Sequence, residues 1–194
     1  LEQQGYPGGK DLREIYRVAK GQQPLRFDGF FDPPTTRLDE ETGRGIPYAT
    51  YGFATHMTEV QVEEATGTCR VKKVRASHDV GKGINPALIQ GQIHGGISMG
   101  IGFALLEEFI PGETVSFDSY HLPTSMDMPR IEVMPVEDLE PTGPYGAKGV
   151  GEPALIPQAA SIVNAIRDAV QVNVYELPCD VERLKILLER KEKG

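Results

Sequence analysis

A chain of 194 residues with 39% hydrophobic and 25% charged residues has the composition of one soluble domain, or one lobe of a larger one, able to bury a core. Its formal charge of −8 excludes a general nucleic-acid binder, which needs a basic face to displace counterions from phosphates. The longest mostly apolar stretch, Ile97 to Leu106, is about half the length of a membrane span, so no membrane segment is expected.

The first residue is Leu1, not Met, and no charged-then-apolar leader follows, which reads as a processed chain, an excised fragment or a piece of something longer. Residues 1–47 carry much Gly, Pro and charge with little periodicity. They are expected to be an extended N-terminal segment packing on a missing part of the protein or on a partner. Within them Asp11 to Ala19 suits a short helix with Leu12, Ile15 and Val18/Ala19 on one face. Asp28 to Pro47 reads as an extended connection. Residues 48–194 are expected to form the domain itself.

From Ala49 to Asp79 the period changes to two. Val60 and Val62 alternate with Gln61 and Glu63, and Val71 and Val74 follow after Ala65-Thr66-Gly67-Thr68, the pattern of a β-hairpin with a Gly-containing turn. Asp79 to Gly83 is a loop. Asn85-Pro86 then opens a helix that is expected to run to Glu108, ahead of Pro111-Gly112. A strand is expected over Ile131–Val136. A Gly/Pro-rich loop follows from Pro141 to Pro153, then a second helix over Pro157–Val170 with Ile162, Val163, Ile166 and Val170 on one side. A short strand over Val172–Val174 precedes a last helix capped by Asp180, its apolar face made of Val181, Leu184, Leu187 and Leu188. The charged tail from Glu189 is expected to fray. Strands and helices alternate without a regular βαβ repeat, which makes the fold class α+β.

Three stretches have the residue types that carry chemistry. The first is Gly91-Gln92-Ile93-His94-Gly95-Gly96-Ile97-Ser98-Met99-Gly100-Ile101-Gly102. Each glycine costs roughly 1 kcal/mol in a helix relative to alanine, so something must come close to this backbone. Either a neighbouring helix or a flat polar cofactor would do, and Gln92 and His94 lean towards a ligand. His94 has no second His or Cys at ligand spacing, so no metal ligands are assigned. The second is Gly143-Pro144-Tyr145-Gly146-Ala147-Lys148-Gly149-Val150-Gly151-Glu152-Pro153. Its glycines can turn backbone N–H groups towards an anion, but it lacks the Gly-Lys-Ser/Thr ending of a nucleotide P-loop. Glu152, if buried, could serve as a general base; exposed, it is a glutamate at a helix start, favoured by the macrodipole. The third, Asp118 to Arg130, mixes acids, a His and a Ser without triad spacing or a nucleophile elbow. It reads as a structural loop. Cys69 and Cys179 are the two cysteines, too few for a disulfide framework or a four-thiolate metal site. A reduced, cytoplasmic setting is expected, with a single bridge left open.

In register, these segments resemble the molybdenum hydroxylases of the aldehyde oxidase/xanthine dehydrogenase type. The resemblance rests on Pro33-Pro34-Thr35-Thr36, Asp79-Val80-Gly81 with Ile84-Asn85-Pro86, and Gly91-Gln92-Ile93-His94-Gly95-Gly96. It continues through Leu122-Pro123-Thr124-Ser125-Met126-Asp127-Met128-Pro129 to Gly146-Ala147-Lys148-Gly149-Val150-Gly151-Glu152-Pro153. It implies the C-terminal lobe of a molybdopterin-binding catalytic subunit that hydroxylates an aldehyde or N-heterocycle with water as oxygen source. Glu152 would be the general base, Gln92 would lie against the cofactor, and Ala147, Lys148, Gly149 and Val150 would wrap the pterin. The metal would be held by pterin sulfurs, so no protein ligand is implied. The pterin's cytosine dinucleotide form and the identity of the small-molecule substrate stay open. Iron–sulfur (2Fe-2S) and flavin (FAD) centres are expected on other domains or chains, and the N-terminal part of the molybdenum subunit is expected as a partner. Alone, the chain is expected to be inactive and cofactor-free. The alternative is a non-catalytic assembly module that keeps the fold without molybdenum, and metal analysis of the whole protein separates the two.

Overall fold

The period-two segment folds as a hairpin. Strand β1 (Ala54–Glu63) pairs antiparallel with β2 (Thr68–Asp79). Along β1 every second residue from Ala54 to Val62 is half-buried and those between are exposed, as expected for a sheet covered on one face. Gly67 closes the turn with a φ of +78°, a left-handed conformation that favours glycine. The register steps between Glu59↔Lys73 and Val60↔Val71, so Lys72 is the extra residue of a β-bulge. Strand β3 (Arg130–Val136) runs parallel to β2 on its other side, from Lys73↔Arg130 to Asp79↔Val136. The sheet order is β1-β2-β3, and the parallel pair needs the long crossover that the first helix supplies. These coordinates are a computed structural model, which describes Tyr16 and residues 28–192.

Helix α1 (Pro86–Leu105) starts where Asn85 caps it, its Oδ1 accepting from the Leu88 N–H at 3.1 Å, with Pro86 in the first turn. It buries Ile93, Gly96, Ile97, Gly100, Ile101 and Ala104. It stops at Leu105, before the expected Glu108, where the Glu107 N–H reaches back five residues to the Gly102 carbonyl that already accepts from Leu106, and the α-helical pattern is broken. Glu107 is then drawn aside by the Tyr120 hydroxyl at 2.6 Å, and Glu108 by Arg183. Helix α2 (Ile156–Val170) packs against both β1 and α1, with Ile162, Ile166 and Val170 buried as expected and Val163 half-buried. Helix α3 (Val181–Glu192) is capped by Asp180, which accepts from the Arg183 N–H at 2.8 Å. Leu184 and Leu188 are buried, while Val181, expected on the same face, is exposed. A mixed sheet and helices share one apolar core that runs from Val71 to Leu188, and the class is α+β.

Three expectations are corrected. Residues 172–174 are not a strand. Gln171 ends α2 in the left-handed region (φ +56°), and Val172 reaches the core as a single buried side chain with no strand beside it among the described residues. The charged tail stays helical to Glu192, tied by Lys191 Nζ donating to the Val170 carbonyl at 2.8 Å. Part of the expected extended connection closes on itself, with the Thr36 N–H donating to the Ile46 carbonyl and the Ile46 N–H to Thr36 Oγ1, both at 2.8 Å. The helix expected over Asp11–Ala19 lies outside the described residues apart from Tyr16. Among the described residues no helix is long and apolar enough to cross a membrane.

A polar network spans the seam between sheet and α2. Gln158, fully buried, accepts at Oε1 from His56 Nδ1 at 2.7 Å and donates from Nε2 to Thr58 Oγ1 at 3.3 Å. Burial disfavours the charged form of both rings, and with both neutral His56 Nε2 accepts from His78 Nε2–H, 2.7 Å away. Burial, with the neighbouring His56, pushes His78 down to about 4. Burial also lowers His56, against the opposing Gln158 hydrogen bond. The folded chain therefore binds fewer protons than the unfolded one between pH 6.5 and about 4. Stability is complete above that window and falls through it, by at most roughly 3 kcal/mol for His78. Ring signals of His78 should stay in the neutral position at pH 5 while Tm has begun to drop. A ring that titrates near 6.5 would contradict the buried pair.

Candidate functional site

The end of β2 and the Gly143–Glu152 loop are built into one unit. Asp79 closes the strand, and Gly81 turns away with a φ of +59° and forms an antiparallel bridge with Ala147. Lys82 N–H donates to the Gly146 carbonyl at 2.7 Å, and Lys148 N–H to the Val80 carbonyl at 3.0 Å. A Cβ on Gly81 would sit 2.4 Å from the Gly146 oxygen, so only glycine permits this approach. Beneath the bridge Lys148 Nζ pairs with Asp79 Oδ2 at 2.6 Å, each side chain only 7% exposed, and the other Asp79 oxygen accepts from the Gly81 N–H at 3.0 Å. Burial opposes ionisation of Asp79, but the Lys148 hydrogen bond, the Gly81 N–H and the lysine charge together hold its carboxyl below the usual range. The Asp79 hydrogen bond in turn raises Lys148.

The resemblance puts Lys148 in the loop that would wrap the pterin. Its ammonium and its N–H are both committed inside the protein, and the Ala147 N–H goes to the Pro144 carbonyl at 3.1 Å. The next four residues differ. The N–H groups of residues 149–152 have no acceptor among the described residues. The segment then enters a 3-10 turn, Glu152–Ala154, seated against α1 so closely that a Cβ on Gly96 would lie 2.6 Å from both the carbonyl carbon and the Cβ of Ala154. The glycine-rich helix and the glycine-rich loop are thus in direct contact.

Glu152 stands on that turn with its side chain exposed and without a hydrogen-bond or ion-pair partner among the described residues. The burial on which the general-base reading was conditional is not supplied by the described residues of this chain. Gln92 is equally exposed, and its Oε1 lies 3.8 Å from the place a Cβ on Gly151 would occupy. The two polar groups therefore flank one surface. Around it Gly91, Gly95 and Gly149 have nothing within 4 Å of a Cβ position. Nearby in sequence, His94 Nε2 is buried with no partner. Open glycine backbone with N–H donors and a carboxylate that are unpaired among the described residues forms a polar cradle, while the buried His94 nitrogen lies beneath the helix surface. The cradle suits a flat group rich in hydrogen-bond acceptors, as a metal-carrying pterin is. The residues fit it.

Other stretches stay apart from this surface. In the Asp118–Arg130 loop Asp127 Oδ2 accepts from the Thr124 N–H at 2.8 Å and its Oγ1 at 2.7 Å, and His121 and Ser125 are exposed. That is a structural turn. Cys69 and Cys179 are both free thiols, pushed by burial up to about 12 and 11. They line a cavity of about 580 Å³ with Ile101 and Met128, and none of the expected site residues reaches it. Sequence reasoning missed Asp79 as the partner of Lys148. A single acid ahead of Val-Gly carries no local signal of a partner 69 residues away. It missed the His56–His78 pair for the same reason.

Residues 3–129 match the model of a family described as the molybdopterin cofactor-binding domain. The chain is 35% identical over 183 residues to the putative xanthine dehydrogenase molybdenum-binding subunit of Escherichia coli (strain K12), covering 88% of this chain and 24% of that subunit. It is 33% identical over 178 residues to subunit gamma of the 6-hydroxypseudooxynicotine dehydrogenase complex of Paenarthrobacter nicotinovorans, covering 88% and 22%. The fold is similar to the crystal structure of the aldehyde oxidoreductase from Desulfovibrio desulfuricans ATCC 27774, with a TM-score of 0.79 and 35% identity over 94% of this chain and 20% of that one. The chain thus spans about a quarter of the length of the curated relatives it matches. With the family's model covering well over half of its residues, the chain belongs to the molybdopterin cofactor-binding domain family.

Proposed function

We propose that this chain is part of the molybdopterin-binding catalytic subunit of an oxidoreductase that hydroxylates an aldehyde or an N-heterocycle, with water as oxygen source and Glu152 as general base. The observation that carries the reading is a carboxylate and four N–H groups without partners among the described residues, set against a helix face left open by Gly91 and Gly95. When bound, the molybdenum–pterin group supplies the two-electron redox chemistry of the C–H hydroxylation. The chain's own residues bind, orient and move a proton. The N–H groups of Gly149 and Val150 donate to the cofactor's acceptors, and Gln92 holds its edge through the side-chain amide. Ala147 and Lys148 shape the loop by their bonds to Pro144 and Val80. Glu152 takes, at a carboxylate oxygen, the proton given up by the water that becomes the product oxygen.

Glu152 is exposed in this chain, so the water-excluding walls and the substrate pocket belong to the rest of the subunit. Iron–sulfur and flavin domains or chains are the electron-accepting partners of the whole. The test is metal analysis and turnover of the complete purified protein. Stoichiometric molybdenum together with oxidation of an aldehyde or an N-heterocycle is expected. A protein that lacks molybdenum when isolated from molybdate-replete cells would overturn the reading in favour of an assembly module.

A further inference from the structure

We propose that Asp79 is a positioning residue for Glu152, acting through Lys148, an inference that rests on the general-base reading of Glu152. The segment carrying Glu152 is held by few hydrogen bonds: the N–H groups of residues 149–152 are unpaired among the described residues, the Glu152 carbonyl accepts only locally, from the Leu155 N–H at 2.9 Å, and two of its residues are glycine. Val150 packs on the edge of the core, and the glycines on either side of it leave the backbone direction to be set mainly at the two ends of the segment. At one end Ala154 is wedged on Gly96 of α1. At the other, Lys148 is fixed by its N–H to Val80 and its ammonium to Asp79.

Asp79 is a rigid anchor. It is the last residue of the central strand, held by β3 at Val136 and by its N–H to the Phe53 carbonyl at 2.9 Å. Its carboxylate binds both sides of the joint, Lys148 Nζ with one oxygen and Gly81 N–H with the other. The second acid near Lys148, Asp138, lies 3.3 Å away with its side chain 76% exposed, where water screens it. Without Asp79 the buried ammonium has no partner of comparable strength and is drawn towards solvent, taking the loop with it.

The experiment uses the complete cofactor-loaded protein, with Asp79→Asn, Lys148→Met, Lys148→Arg and Asp138→Asn compared for molybdenum content, kcat, KM and amide exchange over residues 146–148. Asp79→Asn is expected to lower kcat by about 10- to 100-fold, as displacement of a catalytic group by about 1 Å does. KM should stay within about twofold and molybdenum at the wild-type ratio, the signature of a lost transition-state interaction. Amide exchange over the joint should rise at least ~10-fold as the local opening equilibrium shifts. Lys148→Arg, which keeps the ion pair, should retain most of kcat where Lys148→Met loses it. Asp138→Asn should be silent.

Wild-type kcat in Asp79→Asn, or a kcat loss that merely follows molybdenum loss, overturns the proposal. Should Asp79→Asn fail to fold, equal kcat in Lys148→Met and Lys148→Arg at full molybdenum content overturns it instead. Glu152→Gln run in parallel separates the two ideas. A fully active Glu152→Gln removes the base itself, whereas an inactive Glu152→Gln beside a normal Asp79→Asn removes only the clamp.

Discussion

Glu152→Gln in the complete, cofactor-loaded protein should lower kcat by about 10²- to 10⁴-fold, the range a positioned general base contributes. The substitution keeps the shape of the side chain and removes its ability to take a proton. Nothing in the fold depends on the carboxylate, which is exposed and makes no ion pair or hydrogen bond among the described residues. Tm and molybdenum content should therefore match the wild type. The loss should appear in kcat and kcat/KM alike, as for an interaction made only in the transition state. Steady-state turnover with an aldehyde and with an N-heterocycle, normalised to molybdenum, is the measurement. Activity within a few-fold of wild type on every substrate the protein accepts would leave Glu152 as an ordinary surface acid.

How far the fold could be read depended on how local its causes were. The hairpin, β3 and the two later helices follow from period, turn glycine and caps, each contained within a few residues. The end of α1 was misjudged because Tyr120 and Arg183 pull Glu107 and Glu108 out of the helix, and neither partner is near in sequence. Val172–Val174 has strand-like residues but pairs with no strand among the described residues, and propensity yields to that. In the site, the dense glycines marked close approach at some positions, such as Gly96 and Gly100, and not at others, such as Gly91, Gly95 and Gly149. Which partner each glycine approaches was not legible. Gly96 and Gly100 turn to Ala154 and Gln158 of the protein itself, while Gly91 and Gly95 face open space. Close packing is thus found on one side of this helix, and the cofactor-facing reading is left to the open side, where it remains part of the proposal.

That division gives two adjacent glycines opposite expected effects. Gly96→Ala places a methyl 2.6 Å from the Ala154 carbonyl carbon and Cβ and 2.9 Å from its oxygen. Backbone is what it meets, so the Glu152–Ala154 turn must lift away from α1. Overpacking of this kind costs about 1–3 kcal/mol, more than the 1 kcal/mol or so of helix propensity that alanine returns. Gly96→Ala should therefore lower Tm by several degrees, and cofactor occupancy with it, because the turn and its unpaired N–H groups move together. Gly95→Ala meets nothing within 4 Å. In this chain it should raise stability by about 0.5–1 kcal/mol through propensity alone. In the complete protein the same methyl stands on the face proposed for the pterin, and it should reduce molybdenum content despite the gain in helix stability. Thermal unfolding of the chain and metal analysis of the whole protein measure the two halves separately. If Gly95→Ala stabilises the chain and leaves molybdenum at the wild-type ratio, the open face of α1 is ordinary surface and the cofactor must lie elsewhere.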